Sequence, residues 1–147
     1  MTRTTKPDNV LTLKKALEIA EVNRFAIGSF SPRYTPMIAA VLQGAQKSGS
    51  PAIVQISHKE LIRYGITPAE FADEFYERLN TDHITVPVVL HLDHTKEPGP
   101  IQEAIEAGFT SVMIDASEKS LEDNIAISRR WRSMLMPRAS RSRPSSA

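Results

Sequence analysis

The chain has 147 residues and no cysteine. That excludes a disulfide framework and any metal site built from thiolates. It has no apolar run near the ~20 residues needed to cross a bilayer, so no membrane partner is expected. Residues 1–9 are polar and lack an apolar signal core, so a secretory signal is not expected and the cytoplasm is the default compartment. No G-x-G-x-x-G and no G-K-[ST] occurs; Gly28 stands alone beside the first apolar stretch. Without a phosphate-cradling glycine motif, a nucleotide-binding doubly wound sheet is disfavoured. Acids are missing from one region only. Residues 129–147 hold six arginines, at 129, 130, 132, 138, 141 and 143, and no carboxylate. The first 128 residues carry 12 basic and 17 acidic side chains. The chain is therefore an acidic body with a basic end.

What is present is an ordinary globular composition, 41% hydrophobic and 24% charged. The length suits one domain with a real core. Residues 10–23 read as a helix: Thr12 is a candidate N-cap, and Leu13, Ala16, Leu17 and Ala20 recur at helical spacing. Residues 25–30 are a short apolar strand. Residues 35–48 are helical, with Met37, Ile38, Val41, Leu42 and Ala45 on one face, and Gly49-Ser50-Pro51 stops them. A second strand covers 52–56. Thr67, Pro68 and Glu70 start a helix that runs to about residue 79. The third strand is 86–92, a short helix at 100–107 ends at Gly108, and the fourth strand is 111–114. Ser120 and Asp123 open the next helix, over 120–130. Strands and helices alternate, and the strands are short, apolar and without in/out alternation. That pattern belongs to a parallel sheet covered on both faces. It fits part of a (β/α) barrel, which needs eight strands and usually ~250 residues.

His91-Leu92-Asp93-His94 ends the third strand. Carboxyl ends of parallel strands are where ligands bind in α/β folds. A neutral imidazole suits a borderline metal, and a neighbouring carboxylate can move protons. In an extended chain His91 and Asp93 point one way and Leu92 and His94 the other. Asp93 and His94 can share a site only if the strand bends. The plainer alternative makes one histidine a satisfied core residue and the other a loop surface.

The run V-V-L-H-L-D-H at 88–94 resembles the metal-binding strand of the class II, zinc-dependent ketose-bisphosphate aldolases. G-F-T-S-V-M-I-D-A-S at 108–117 and L-E-D-N-I-A-I at 121–127 resemble the segments that follow it. A-I-G-S-F at 26–30 and P-A-I-V-Q-I-S at 51–57 resemble the family's first two strands. The similarity covers about residues 10–130. It implies an α/β fold comprising the first four β/α units of a (β/α)8 TIM barrel, truncated, with an irregular C-terminal tail. It implies aldol cleavage and condensation of fructose 1,6-bisphosphate or tagatose 1,6-bisphosphate, giving dihydroxyacetone phosphate and glyceraldehyde 3-phosphate. The cofactor implied is Zn2+, the partner a sugar phosphate, and the full-length family is homo-oligomeric. Residue by residue, Asp93 matches the catalytic carboxylate that exchanges a proton with the hydroxyl at the carbon where the C–C bond breaks. His94 matches one of three zinc-binding histidines. Asp115 matches a carboxylate associated with an alternative or second metal position. Ser57 matches a serine contacting the aldehyde-phosphate half of the substrate. His91 has no ligand role in the family and reads as a supporting or packing residue. Two departures imply a divergent branch. Ser31-Pro32-Arg33-Tyr34 stands where the family often has asparagines, and Thr95-Lys96-Glu97 replaces a common glycine.

Residues 131–147 show no helical periodicity and read as a basic, disordered tail. A nucleic-acid or targeting tail and a disordered terminus are two accounts of it. Trp131 is the one aromatic in 129–147, so stacking platforms for nucleic acid are absent and no nucleic-acid partner is expected. A shifted reading frame is the third account. A legal codon choice for the tail, read from the third base, gives A-E-Y-A-H-A-P-G-V-S-V-E-A-E-L-G. That peptide resembles the family's next helix end and the strand bearing a functional glutamate. On this account the domain is 1–130, residues 131–147 are out of frame, and the chain is aldolase-derived but inactive as it stands. The alternative function is a small non-catalytic α/β protein that binds a ligand or metal.

Overall fold

The computed structural model describes residues 6–135. Its elements are α1 (Leu13–Asn23), β1 (Gly28–Phe30), α2 (Met37–Ser48), β2 (Ala52–Ser57), α3 (His58–Tyr64), α4 (Pro68–Thr81), β3 (Val88–Thr95), α5 (Pro98–Ala107), β4 (Ser111–Ile114) and α6 (Leu121–Leu135). The four strands lie in chain order, β1-β2-β3-β4, and every pairing is parallel. Each helical crossover returns the chain to the next position in the sheet, as in successive β/α units of a barrel.

Local chemistry sets the helix ends. The Thr12 hydroxyl accepts the Lys15 N–H at 3.3 Å and opens α1. Val10 lies outside that helix. It forms a parallel bridge to Val88, and the Leu11 N–H donates to the Val88 carbonyl at 2.8 Å. The segment before α1 is thus tied to the start of β3. Thr67 and Glu70 cap α4 reciprocally, with Pro68 at its first turn. Gly108 ends α5 at φ +102°, in the left-handed region open to glycine.

The strands do alternate, although their sequence hides it. Val54, Ile56, Leu90 and Leu92 face the helices and pack with Ile38, Leu42, Phe71, Phe75 and Ile101. Each such side chain contributes about 1.5–3 kcal/mol by leaving water. On the opposite face Ile53 and Val89 meet Ala16 of α1, with Leu11, Leu13 and Ile27 around them. Beyond that apolar layer, toward the carboxyl ends, the same face carries Gln55, His91, Ser57 and Asp93. Because α1 buries the lower half of the inner face, residues there are apolar on both sides of the strand. That is why no alternation shows in the sequence.

Several elements differ from expectation: α1 starts at Leu13 rather than at residue 10, and β1 covers only Gly28–Phe30 of the expected 25–30. β3 runs on to Thr95, past the expected end at 92. The helix α3 follows β2 directly and was not expected. The last helix runs to Leu135, so residues 131–135 are helical rather than irregular. Asn124, Ile127 and Trp131 form its half-buried stripe at helical spacing, and Trp131 packs against the main core. Residues 136–147 of the expected tail lie outside the described residues.

Candidate active site

β3 brings its polar residues together through a bulge. Leu92 pairs with Val112 and Thr95 with Ile114, so β3 spends one residue more than β4 between these pairs. The extra residue is accommodated at His94, whose φ is +44°. This is the bend that Asp93 and His94 require to share a site. The His94 Nε2 lies 3.8 Å from the Asp93 Oδ2, where a regular strand would send the two side chains to opposite faces.

Asp93 is held from two sides. The Gln55 amide donates to its Oδ2 at 3.2 Å, and the Ser29 hydroxyl donates to the Gln55 carbonyl oxygen at 2.6 Å. On the other side His91 Nε2 lies 3.7 Å from Asp93 Oδ1, while its Nδ1 shares a hydrogen bond of 2.8 Å with Ser111. His91 is buried, and burial pushes its pKa down, opposed by the charge of Asp93. A neutral ring with both nitrogens facing polar groups is a support for Asp93. Ser57 pairs in register with Asp93 on the adjacent strand. Its hydroxyl accepts the Glu60 N–H at 3.2 Å and caps α3.

His94 is the exposed member, with 61% of its side chain open to solvent. Its Nδ1 lies 2.9 Å from Asp115 Oδ2. The hydrogen bond to Asp115, then the charge of Asp93, raises the His94 pKa. Asp115 is held well below the usual carboxylate range, first by the Ser117 hydroxyl and then by His94 and the Ser117 N–H. A carboxylate on one imidazole nitrogen fixes the tautomer and leaves the other nitrogen to ligate. His94 therefore fits a zinc ion through Nε2. Asp115 already spends both oxygens, on His94 and Ser117. A catalytic zinc normally takes three protein ligands. No group of three histidine, aspartate or glutamate side chains able to hold a metal occurs among the described residues. The described residues fit one corner of a zinc site and do not complete it.

A cleft of about 300 Å³ is lined by Ser31, Arg33, Ser57, Lys59, Glu60, Arg63, Asp93 and His94. It joins three of the four site residues expected from sequence, and Asp115 reaches it through His94. Gln55 was missed, as were Ser29, Ser111 and Ser117. Gln55 had a signal: it is the one polar residue inside the apolar run 52–56, two residues before Ser57 and so on its face.

A family model described as class-II fructose-bisphosphate aldolase matches residues 11–139. The 6-phospho-5-dehydro-2-deoxy-D-gluconate aldolase of Bacillus subtilis is 39% identical over 121 residues, which is 81% of this chain and 41% of that protein. The sulfofructosephosphate aldolase of Alkalicoccus urumqiensis is 34% identical over 76% of this chain and 37% of its own length. A fructose-bisphosphate aldolase of Staphylococcus aureus is 34% identical over 82% of this chain and 42% of its own. Among solved structures, the YdjI aldolase of Escherichia coli K12 matches the fold with a TM-score of 0.75 at 23% identity, over 85% of this chain and 47% of that one. The fructose-bisphosphate aldolase of Campylobacter jejuni matches with a TM-score of 0.67 at 30% identity, over 83% and 43%. The chain spans about two fifths of the length of these curated relatives. It carries four parallel β/α units, the first half of an aldolase barrel. The chain belongs to the class-II fructose-bisphosphate aldolase family.

Proposed function

We propose that this chain is the N-terminal part of an aldolase that cleaves and re-forms a ketose bisphosphate, fructose 1,6-bisphosphate or tagatose 1,6-bisphosphate. The observation that carries the reading is the bulge at His94. It turns Asp93 and His94 toward one cleft and gives each its own support. In cleavage Asp93 takes the hydroxyl proton at the carbon that becomes the aldehyde. The C–C bond breaks, and its electron pair stays on the dihydroxyacetone phosphate half. Condensation runs the same transfer backwards. Gln55 and His91 orient the carboxylate so that its proton-accepting oxygen faces the cleft. Ser57, one strand away, contacts the aldehyde half. His94 is one ligand of a Zn2+ site, and Asp115 serves that metal through His94. Bound zinc would act as a Lewis acid on the ketone. The remaining ligands and the second carboxylate belong to the other half of the barrel, and the full-length protein is a homo-oligomer. The 147-residue chain alone has no aldolase activity.

The test is Asp93→Ala in the chain extended to full family length. Turnover should fall by roughly 10²–10⁴-fold, the range for a lost general acid–base. Proton exchange on dihydroxyacetone phosphate alone should suffer less, because that step needs the other carboxylate. Equal loss of both half-reactions would contradict the role given to Asp93, and aldol cleavage by the unextended chain would contradict its inactivity.

A further inference from the structure

The sheet is open on both sides. Among the described residues β1 pairs only with β2, and β4 only with β3. A bare edge presents unpaired N–H and C=O groups, and proteins guard such edges with charge, proline or a cover. Neither edge has that guard in its sequence. Residues 25–31 and 109–114, which hold β1 and β4 with their flanks, contain no charged residue and no proline.

The apolar surfaces beside the two edges match in position. Phe30 is the register partner of Val54 and faces the helix layer with it. It is 49% exposed, and its ring folds back over Gly28, where a Cβ would lie 2.8 Å from it. At the other edge, Leu121 and Ile125 share one face of α6 at helical spacing and are 78% and 42% exposed. They flank the half-buried stripe of Asn124, Ile127 and Trp131. In a right-handed run of β/α units each helix packs over its own strand and the next one. α6 follows β4, so its apolar flank overhangs the place of a further strand. Phe30 ends β1 and Leu121 begins α6, so both lie at the carboxyl end of the sheet. On the inner face Met113, between the helix-facing Val112 and Ile114, is exposed, as is Leu17 of α1.

We propose that two copies of the 147-residue chain join edge to edge, β4 of each beside β1 of the other, with Phe30 of one copy against Leu121 and Ile125 of the second. Four parallel strands from each copy make the eight of a closed barrel, and a two-fold axis along the barrel keeps all of them parallel. Both joints form together, so the assembly stops at two copies instead of growing into a fibre. Every strand edge is then paired. Met113 and Leu17 face the opposite wall, and both Asp93–His94 pairs open on one mouth. The inference rests on the fold and not on the aldol reading. In a chain of full family length the other half of the barrel takes the same two edges, so this pairing is a property of the 147-residue chain.

The test is sedimentation equilibrium on the 147-residue chain, on Phe30→Lys, on Ile125→Glu and on an equimolar mixture of the two variants. The parent chain should form dimers and nothing larger. Each variant alone should dimerise about tenfold more weakly, or worse, because a charge enters an apolar joint at two places. The mixture should recover the dimer. One of its joints then sets Lys against Glu, and the other is the unaltered Phe30–Ile125 contact. Misfolding of either variant cannot produce that recovery. A parent chain that stays monomeric at every concentration, or grows beyond two copies, would overturn the proposal. So would variants that dimerise as the parent does, or a mixture no better than its components. In the chain extended to full family length the same substitutions should leave the oligomeric state unchanged. A change there would also overturn the proposal, by placing Phe30 and Ile125 in a different interface.

Discussion

His91 and His94 stand three residues apart on one strand and have opposite environments. His91 is 8% exposed, bonded to Ser111 and turned to Asp93. His94 is mostly in solvent and bonded to Asp115. Removing His91 leaves Ser111 and one side of Asp93 without their partner inside the protein. His91→Ala should therefore lower stability by about 1–3 kcal/mol, the cost of stranding buried polar groups. His94→Ala should cost no more than about 0.5 kcal/mol, as for most exposed substitutions. Urea denaturation of the two variants checks this, and equal costs would contradict the division. The tetrad's importance was legible from its residue types at a strand end. The packing role of His91 was legible only through the family resemblance; the place of the bend was not legible, because one inserted residue in β3 reverses the facing of everything after it.

At the scale of elements, what could be read was local. The caps at Thr12, Thr67 and Ser120 and the stop at Gly108 mark helix ends by short-range hydrogen bonding, and the structure places them there. Contacts that join distant segments could not be read. α3 is only seven residues long, and its Ser57-x-x-Glu60 start lies inside what looked like the end of a strand. Yet α3 brings Lys59, Glu60 and Arg63 to the cleft. The cap of α4 also makes a pH prediction. The Thr67 N–H, then its hydroxyl, holds the Glu70 carboxyl below its ordinary value of 4.5. The charged form is thus favoured by folding. Its stabilising contribution is complete above the unfolded value and lost as pH falls through the lower folded value. Glu70→Gln should flatten the dependence of stability on pH over that acidic window and leave the dependence near neutrality unchanged. Parallel acid titrations of the two proteins, followed by circular dichroism, would show an unaltered acid slope if the cap carried no charge effect.

At the scale of the whole molecule, β1 and β4 each pair on one side only among the described residues. Four strands are half of the closed sheet that gives a barrel its shared core and its ring of active-site loops. The arginine excess at 129–147 motivates the reading-frame account of the tail. The helix through Leu135 and the family match through 139 both pass residue 131, which counts against a shift that begins there. The nucleotide sequence would test the account. Beyond codon 147 the alternative frame should continue an aldolase-like reading, with two further strand-end histidines and a glycine-rich phosphate loop. Stop codons in both frames within a few codons would contradict a shift.

In the proposed mechanism Asp93 moves a proton while His94 holds the metal, two adjacent residues separated in role by a bulge. Zinc stoichiometry tests it most directly, measured on the chain extended to full family length, on Asp93→Ala and on His94→Ala. The account predicts one zinc per chain in the first two and a site lost in His94→Ala, since two remaining ligands fall short of the three such sites normally use. Zinc lost from Asp93→Ala, or retained in full by His94→Ala, would contradict it.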